Sequence, residues 1–280
     1  MVSTASIIAI IITLFITLIA PVIVWIIYGI KNKGKGVWKA ILLGAAGFVL
    51  LQMIIRMPIL SLASMLPGFV LFVEKNYVLY CLILAFTAAL FEVIARFAVA
   101  KILQKKINYQ QGVAAGLGHG GIEAILLIGM TYVNNLLYAI MINTGAFDMT
   151  VEATVAADTS GALEGQLMAI KTALVDTASY TFYLAGYERV LCVIFHVAMS
   201  LLVCYLVYKK KAFLGVAIAF VAHFLVDFIS PMVSGLANSY LGNVISTGTS
   251  YLIIYGFLTI VAIMSFALIV FIGKKWTTEG

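Results

Sequence analysis

His119 and Glu123 stand four residues apart, as do His223 and Asp227, and so do Glu92 and Arg96 in the stretch LFEVIARF. That spacing is one turn of helix, so each couple shares a face. The remaining histidine, His196, has no such companion. Imidazoles and carboxylates gathered in one place do two kinds of chemistry: they ligate a divalent metal, or they pass protons. A catalytic zinc site takes three protein ligands, typically histidine with histidine or carboxylate, and keeps a position for water. His119, His196 and His223 supply that set, with Asp227 as a further ligand or as the partner that orients an imidazole. Glu92 and Glu123 are the candidate bases for water acidified by the metal, the nucleophile of an amide hydrolysis. Arg96 would hold Glu92 ionised and aimed. The same residues also compose a proton relay, and the Glu92–Arg96 couple reads equally as a structural lock between helices.

These groups all fall inside long apolar segments. With 64% hydrophobic and 10% charged residues and a mean hydropathy of +1.15, the 280-residue chain has more apolar surface than a soluble core can hide. Seven segments reach the roughly 20 residues that a bilayer-spanning helix needs, at about 5–30, 37–60, 77–104, 112–142, 184–208, 212–234 and 245–273. The runs are continuous rather than alternating, which predicts an α-helical bundle and not a barrel. The fold class is therefore all-α and polytopic, with 1–280 as a single integral membrane domain. Its longest connection, about 144–183, carries Asp148, Glu152, Asp158, Glu164 and Asp176 against Lys171 alone. Within it, 162–175 has the apolar spacing of a short amphipathic helix. Cys81, Cys192 and Cys204 lie within spans, where a thiol acts as a small hydrophobe.

Lysines fix the expected orientation. Lys31, Lys33, Lys35 and Lys39 follow the first span, Lys101, Lys105 and Lys106 the third, Lys209–Lys211 the fifth, and Lys274 and Lys275 the seventh. Under the positive-inside rule these ends are cytoplasmic, the amino terminus is outside, and the protein belongs in the cytoplasmic (plasma) membrane. The net charge of +6 thus reports topology, and no nucleic acid or nucleotide partner is implied. With about 1.5 Å of rise per residue, Glu92, His119, Glu123, His196 and His223 lie about 10–18 Å from the basic ends of spans three to six. Those four spans should form a catalytic-like core, opening toward the cytoplasm.

Several polar residues read as bystanders. Arg56, just before Pro58, can snorkel to the interface, and Glu188 with Arg189 suits interfacial anchoring. Gly112, Gly116, Gly118, Gly120 and Gly121 around His119 either permit close packing or loosen the helix to admit water. No nucleotide-binding loop, haem motif or serine nucleophile signature is visible.

FEVIAR (91–96), GLGHGGIEAI (116–125), ERVLCVIFH (188–196) and HFLVD (223–227) resemble the YhfC family of intramembrane metalloproteases. That family lies in a superfamily with the CAAX-processing membrane proteases, PrsW and the APH-1 subunit of γ-secretase. The resemblance implies a four-helix core with an EExxxR motif, a histidine on the next helix and a final HxxxN or HxxxD. Glu92 and Arg96 match the end of the first motif, His119 the second, and His223 with Asp227 the last. Phe91 stands where the first of the paired acids would be, which passes the base to Glu92 or Glu123. The expected function is metal-dependent cleavage, with Zn2+ as the metal, of a membrane protein or lipidated peptide in or near the bilayer. A non-catalytic scaffold like APH-1 is the alternative, ahead of a proton-coupled or metal-ion transporter, which the lack of an internal repeat disfavours.

Overall fold

The computed structural model describes residues 1–157 and 162–279, and every regular element among them is helical. Asp158 of the acidic connection lies outside the described residues. Seven helices are long and apolar enough to cross a membrane: α1 (Thr4–Lys31), α2 (Val37–Ser64), α4 (Tyr77–Lys106), α5 (Tyr109–Thr144), α8 (Ser179–Tyr208), α9 (Ala212–Leu236) and α10 (Thr247–Trp276). They extend the seven predicted spans by a few residues at most ends. Three shorter helices intervene: α3 (Phe69–Lys75), α6 (Ala146–Ala157) and α7 (Ala162–Asp176). The last is the helix expected over 162–175; α3 and α6 are additions.

The elements gather into two compact units. One comprises Met1–Ile23 with Ala124–Val190, the other Val24–Glu123 with Leu191–Gly280. In the first, Ile10, Tyr132, Ala139, Phe147 and Phe182 form the buried centre. Its polar side chains are mostly hydroxyls and amides turned onto backbone: Thr13 Oγ1 and Tyr132 OH both donate to the Phe182 carbonyl, at 2.7 and 3.0 Å. Asn143 clamps the backbone of Val2 from both sides, accepting from its N–H and donating to its carbonyl. Glu188 and Arg189 pair with each other. Lys171 on α7 meets Asp148 on α6 at 2.5 Å.

The second unit packs by close backbone approach, as expected where lipid removes the hydrophobic drive for helices to associate and small residues set their distance. Gly118 shows how close: a β-carbon there would sit 2.0 Å from the carbonyl oxygen of Ile41 on α2, and one at Gly116 would sit 2.4 Å from Cα of Val197 on α8. The amino-terminal half of α5 is thereby held against both neighbours, and His119, one residue after Gly118, is carried into the interior. Trp25 Nε1–H closes the same region by donating to the Leu117 carbonyl at 2.8 Å. Of the two readings of the glycines around His119, packing is the one observed; the stretch is regular α-helix through Glu123.

In two spans the regular helix loosens into π-type turns just ahead of a proline, at Phe15–Ile19 before Pro21 and at Val49–Arg56 before Pro58. Proline has no N–H to give the carbonyl four residues back, and its ring crowds that carbonyl, so the preceding ladder must rearrange. The second of these segments carries Gln52 and Arg56. A third π segment, Ala124–Gly129, starts directly after Glu123.

Candidate functional site

Four helices deliver ionisable groups to one buried point in the second unit. Glu92 and Arg96 come from α4, His119 and Glu123 from α5, His196 from α8, and His223 and Asp227 from α9. Glu92 is central. Its Oε2 lies 2.5 Å from His119 Nε2, 2.7 Å from Arg96 Nη1, 3.8 Å from His223 Nε2 and 3.9 Å from His196 Nδ1. The i, i+4 pair anticipated from the sequence is formed, and the seven residues proposed from the sequence lie in this one cluster. Glu92, Arg96, His119, His196 and His223 are buried.

The hydrogen-bond directions divide the histidines into two kinds. Arg96 Nη2 lies 2.5 Å from His196 Nδ1. Guanidinium can only donate, so Nδ1 accepts and the proton of the neutral ring sits on Nε2. That nitrogen is 2.7 Å from Glu123 Oε2. Both nitrogens of His196 are therefore engaged within the protein. Its ring still stacks on His119, with centroids 5.2 Å apart and planes 25° from parallel.

His119 and His223 are differently placed. Glu92 Oε2 is shared between Arg96 Nη1 at 2.7 Å and His119 Nε2 at 2.5 Å, and His223 Nδ1 makes no hydrogen bond. Buried polar atoms without hydrogen bonds are costly and call for an explanation such as an ion. A carboxylate oxygen and imidazole nitrogens are the donor types that zinc and similar divalent metals take, in sets such as two histidines with a glutamate. The residues thus fit a metal. Two triads bring donor atoms within 4.8 Å of one another: Glu92 with His196 and His223, and His119 with Glu123 and His196. Apolar walls enclose the donors, with Phe48 edge-on to His119 and Phe195 stacked on His223.

Asp227 forms the open edge. Its side chain is 32% exposed against 12% for Glu123 and 7% for His223, and Oδ2 is 3.6 Å from His223 Nε2. It lies one turn beyond His223, on the side away from Lys209–Lys211, whereas the sequence predicts an opening toward those basic ends.

Two residues were missed or misread from sequence. Gln52 on α2 is buried and donates through Nε2 to Glu92 Oε1 at 2.9 Å. Arg56, expected to snorkel outward, instead turns back: Nη1 donates to Gln52 Oε1 at 3.2 Å, Nη2 to the Leu84 carbonyl at 2.9 Å and Nε to Thr87 Oγ1 at 3.2 Å. The available signal was a glutamine one turn ahead of an arginine in an otherwise apolar span, where polar side chains usually face the bundle.

A relative from Bacillus subtilis (strain 168), described as "Uncharacterized membrane protein YhfC", is 32% identical over 125 residues, which cover 44% of this chain. The matched stretch spans about half the length of that relative, 46%. No solved structure matches the chain. The model of the YhfC intramembrane metalloprotease family matches residues 13–246, and so this multi-pass integral membrane protein belongs to that family.

Proposed function

We propose that the protein is a metal-dependent peptidase of the plasma membrane that hydrolyses a peptide bond of a membrane protein or lipidated peptide within or beside the bilayer. The observation that carries the reading is the convergence of Glu92 Oε2, His119 Nε2 and the His223 ring in a buried site, with the first two atoms 2.5 Å apart and His223 Nε2 3.8 Å from Glu92 Oε2. These three residues would hold the metal, with Asp227 beside His223. Bound there, a divalent metal, Zn2+ by its preference for this donor set, supplies Lewis acidity that polarises an amide carbonyl and acidifies water.

The protein's own groups have separable tasks. Glu123 is the base: its carboxylate takes the proton of the attacking water and returns it to the departing amine. His196, donating Nε2–H to Glu123 Oε2, holds that carboxylate in place. Arg96 fixes the His196 tautomer through Nδ1 and balances the charge of Glu92. Phe91, at the place of the first acid in the superfamily pattern, leaves the base role to α5. Asp227 marks the edge by which substrate reaches the site. The lysine-flanked helix ends are cytoplasmic and the amino terminus is outside.

The test is metal content together with turnover. Detergent-purified protein, chelated and then repleted with zinc, should hold near-stoichiometric zinc by mass spectrometry, lost in Glu92→Gln, His119→Ala and His223→Ala. Glu123→Gln should keep the metal and lose cleavage of a transmembrane substrate in proteoliposomes. Well-folded wild type without specific metal would end this reading. It would favour a scaffold, for which the mutual satisfaction of Glu123, His196 and Arg96 across three helices is the supporting observation. Co-purification of a stoichiometric membrane partner, lost in His196→Ala, is the measurement for that case.

A further inference from the structure

Glu92 presents its two oxygens to different surroundings. Oε2 faces Arg96 and the imidazoles, whereas Oε1 accepts from Gln52 Nε2 at 2.9 Å. The orientation of the Gln52 amide is set from behind. Arg56 Nη1 reaches Gln52 Oε1 at 3.2 Å, and because arginine only donates, the amide oxygen must point to Arg56 and the NH2 group to Glu92. The second amide proton has an acceptor in the Ala88 carbonyl at 3.3 Å. Arg56 is in turn anchored to the Leu84 carbonyl and Thr87 Oγ1. Both of these belong to α4, the helix that carries Glu92. The ring α4–Arg56–Gln52–Glu92–α4 is therefore closed. It is built on the π-type segment Val49–Arg56 of α2, a departure from regular helix often found at functional sites.

From this closed ring we infer that Gln52, backed by Arg56, is a positioning residue for Glu92: it occupies Oε1 and so turns Oε2 to the imidazoles. The inference rests on the proposed reading in one respect, that Oε2 is a metal donor. A carboxylate with one oxygen pinned has lost its freedom to rotate, and the donor is presented already oriented. Groups that orient ligands in this way typically change metal affinity by about 10- to 100-fold when removed. Arg56 acts through Gln52, so its own removal should have a smaller effect and none once Gln52 is gone.

The experiment uses the full-length protein in detergent, with Gln52→Met chosen to keep side-chain volume. Thermal melts in chelator come first, for wild type, Gln52→Met, Glu92→Ala and the double variant. Gln52→Met should lower Tm in the wild-type background and have little effect when Glu92 is already alanine. An equal drop in both backgrounds would mean Gln52 merely packs against the Ala88 backbone, and the inference fails. Zn2+ affinity by competition with a chromophoric chelator, and the visible spectrum of Co2+-loaded protein, come second. Gln52→Met should weaken Zn2+ by about 10- to 100-fold and shift the Co2+ bands, with Arg56→Met intermediate and not additive to Gln52→Met. Unchanged affinity and spectrum would overturn the inference while leaving the metal reading intact. Wild type that binds neither ion would overturn the metal reading instead, and the melts alone would then decide whether Gln52 holds Glu92.

Discussion

The first unit solves the problem of polar side chains in a membrane with Thr13, Thr17, Tyr132 and Asn143, and the second with Glu92, Arg96, His119, His196 and His223. In the first, these four side chains meet backbone: Thr17 Oγ1 donates to the Thr13 carbonyl one turn back at 2.8 Å, and Tyr132 reaches the Phe182 carbonyl. The bonds of the Tyr132 kind, which cross between helices, contribute about 0.6 kcal/mol each. In the second, ionisable groups from four helices face one another at 2.5–2.7 Å. Charge in hydrocarbon is expensive, and charges of the first unit pair locally, Glu188 with Arg189 and Lys171 with Asp148, without a histidine among them. The contrast separates a bundle that is glued from one that is equipped.

Mutations should expose that difference, most severely at Glu92. Replacing it with alanine leaves Arg96 buried without its anion, and breaking a buried pair in this way costs about 3–5 kcal/mol. The expected outcome is a clear drop in Tm with loss of bound zinc and of cleavage; a variant that retains its zinc would refute the ligand assignment. Next comes Glu123→Gln, predicted to slow cleavage by about 10²- to 10⁴-fold, the usual contribution of a general base, at unchanged zinc content. Comparing single-turnover rates with metal analysis on the same preparation separates the two effects. His196→Gln sharpens the division among the histidines. It should lower the rate by about 10- to 100-fold with zinc retained, whereas loss of zinc would place His196 in the ligand set expected from the sequence. The smallest effect is expected in the first unit: Tyr132→Phe should cost about 0.6 kcal/mol in thermal stability and alter neither zinc nor rate. A change in zinc content there would erase the functional contrast between the two units.

Much of this was visible in the chain before any coordinates. The seven spans follow from length and hydropathy, because a bilayer accepts only helices whose backbone satisfies itself. The Glu92–Arg96 pair follows from a spacing of four, and the meeting of Glu92, His119, His196 and His223 follows from counting residues along helices of fixed rise. Other features were hidden for definite reasons. Arg56 was misread because snorkelling and inward pairing look alike from sequence; its direction depends on whether α4 presents acceptors at the right height, as Leu84 and Thr87 do. Gln52 was passed over because a lone neutral amide carries no periodic signal.

Residue type and spacing, then, determined by themselves that this is a seven-span helical membrane protein with one buried imidazole–carboxylate cluster, since hydropathy and helical pitch are local properties of the chain. The tertiary structure decided which nitrogen faces which oxygen. It set His196 between Arg96 and Glu123 and left His119 and His223 beside Glu92. Those directions arise from the close approach of α5 to α2 and α8 at Gly118 and Gly116, a matter of packing between helices that no spacing along one helix encodes.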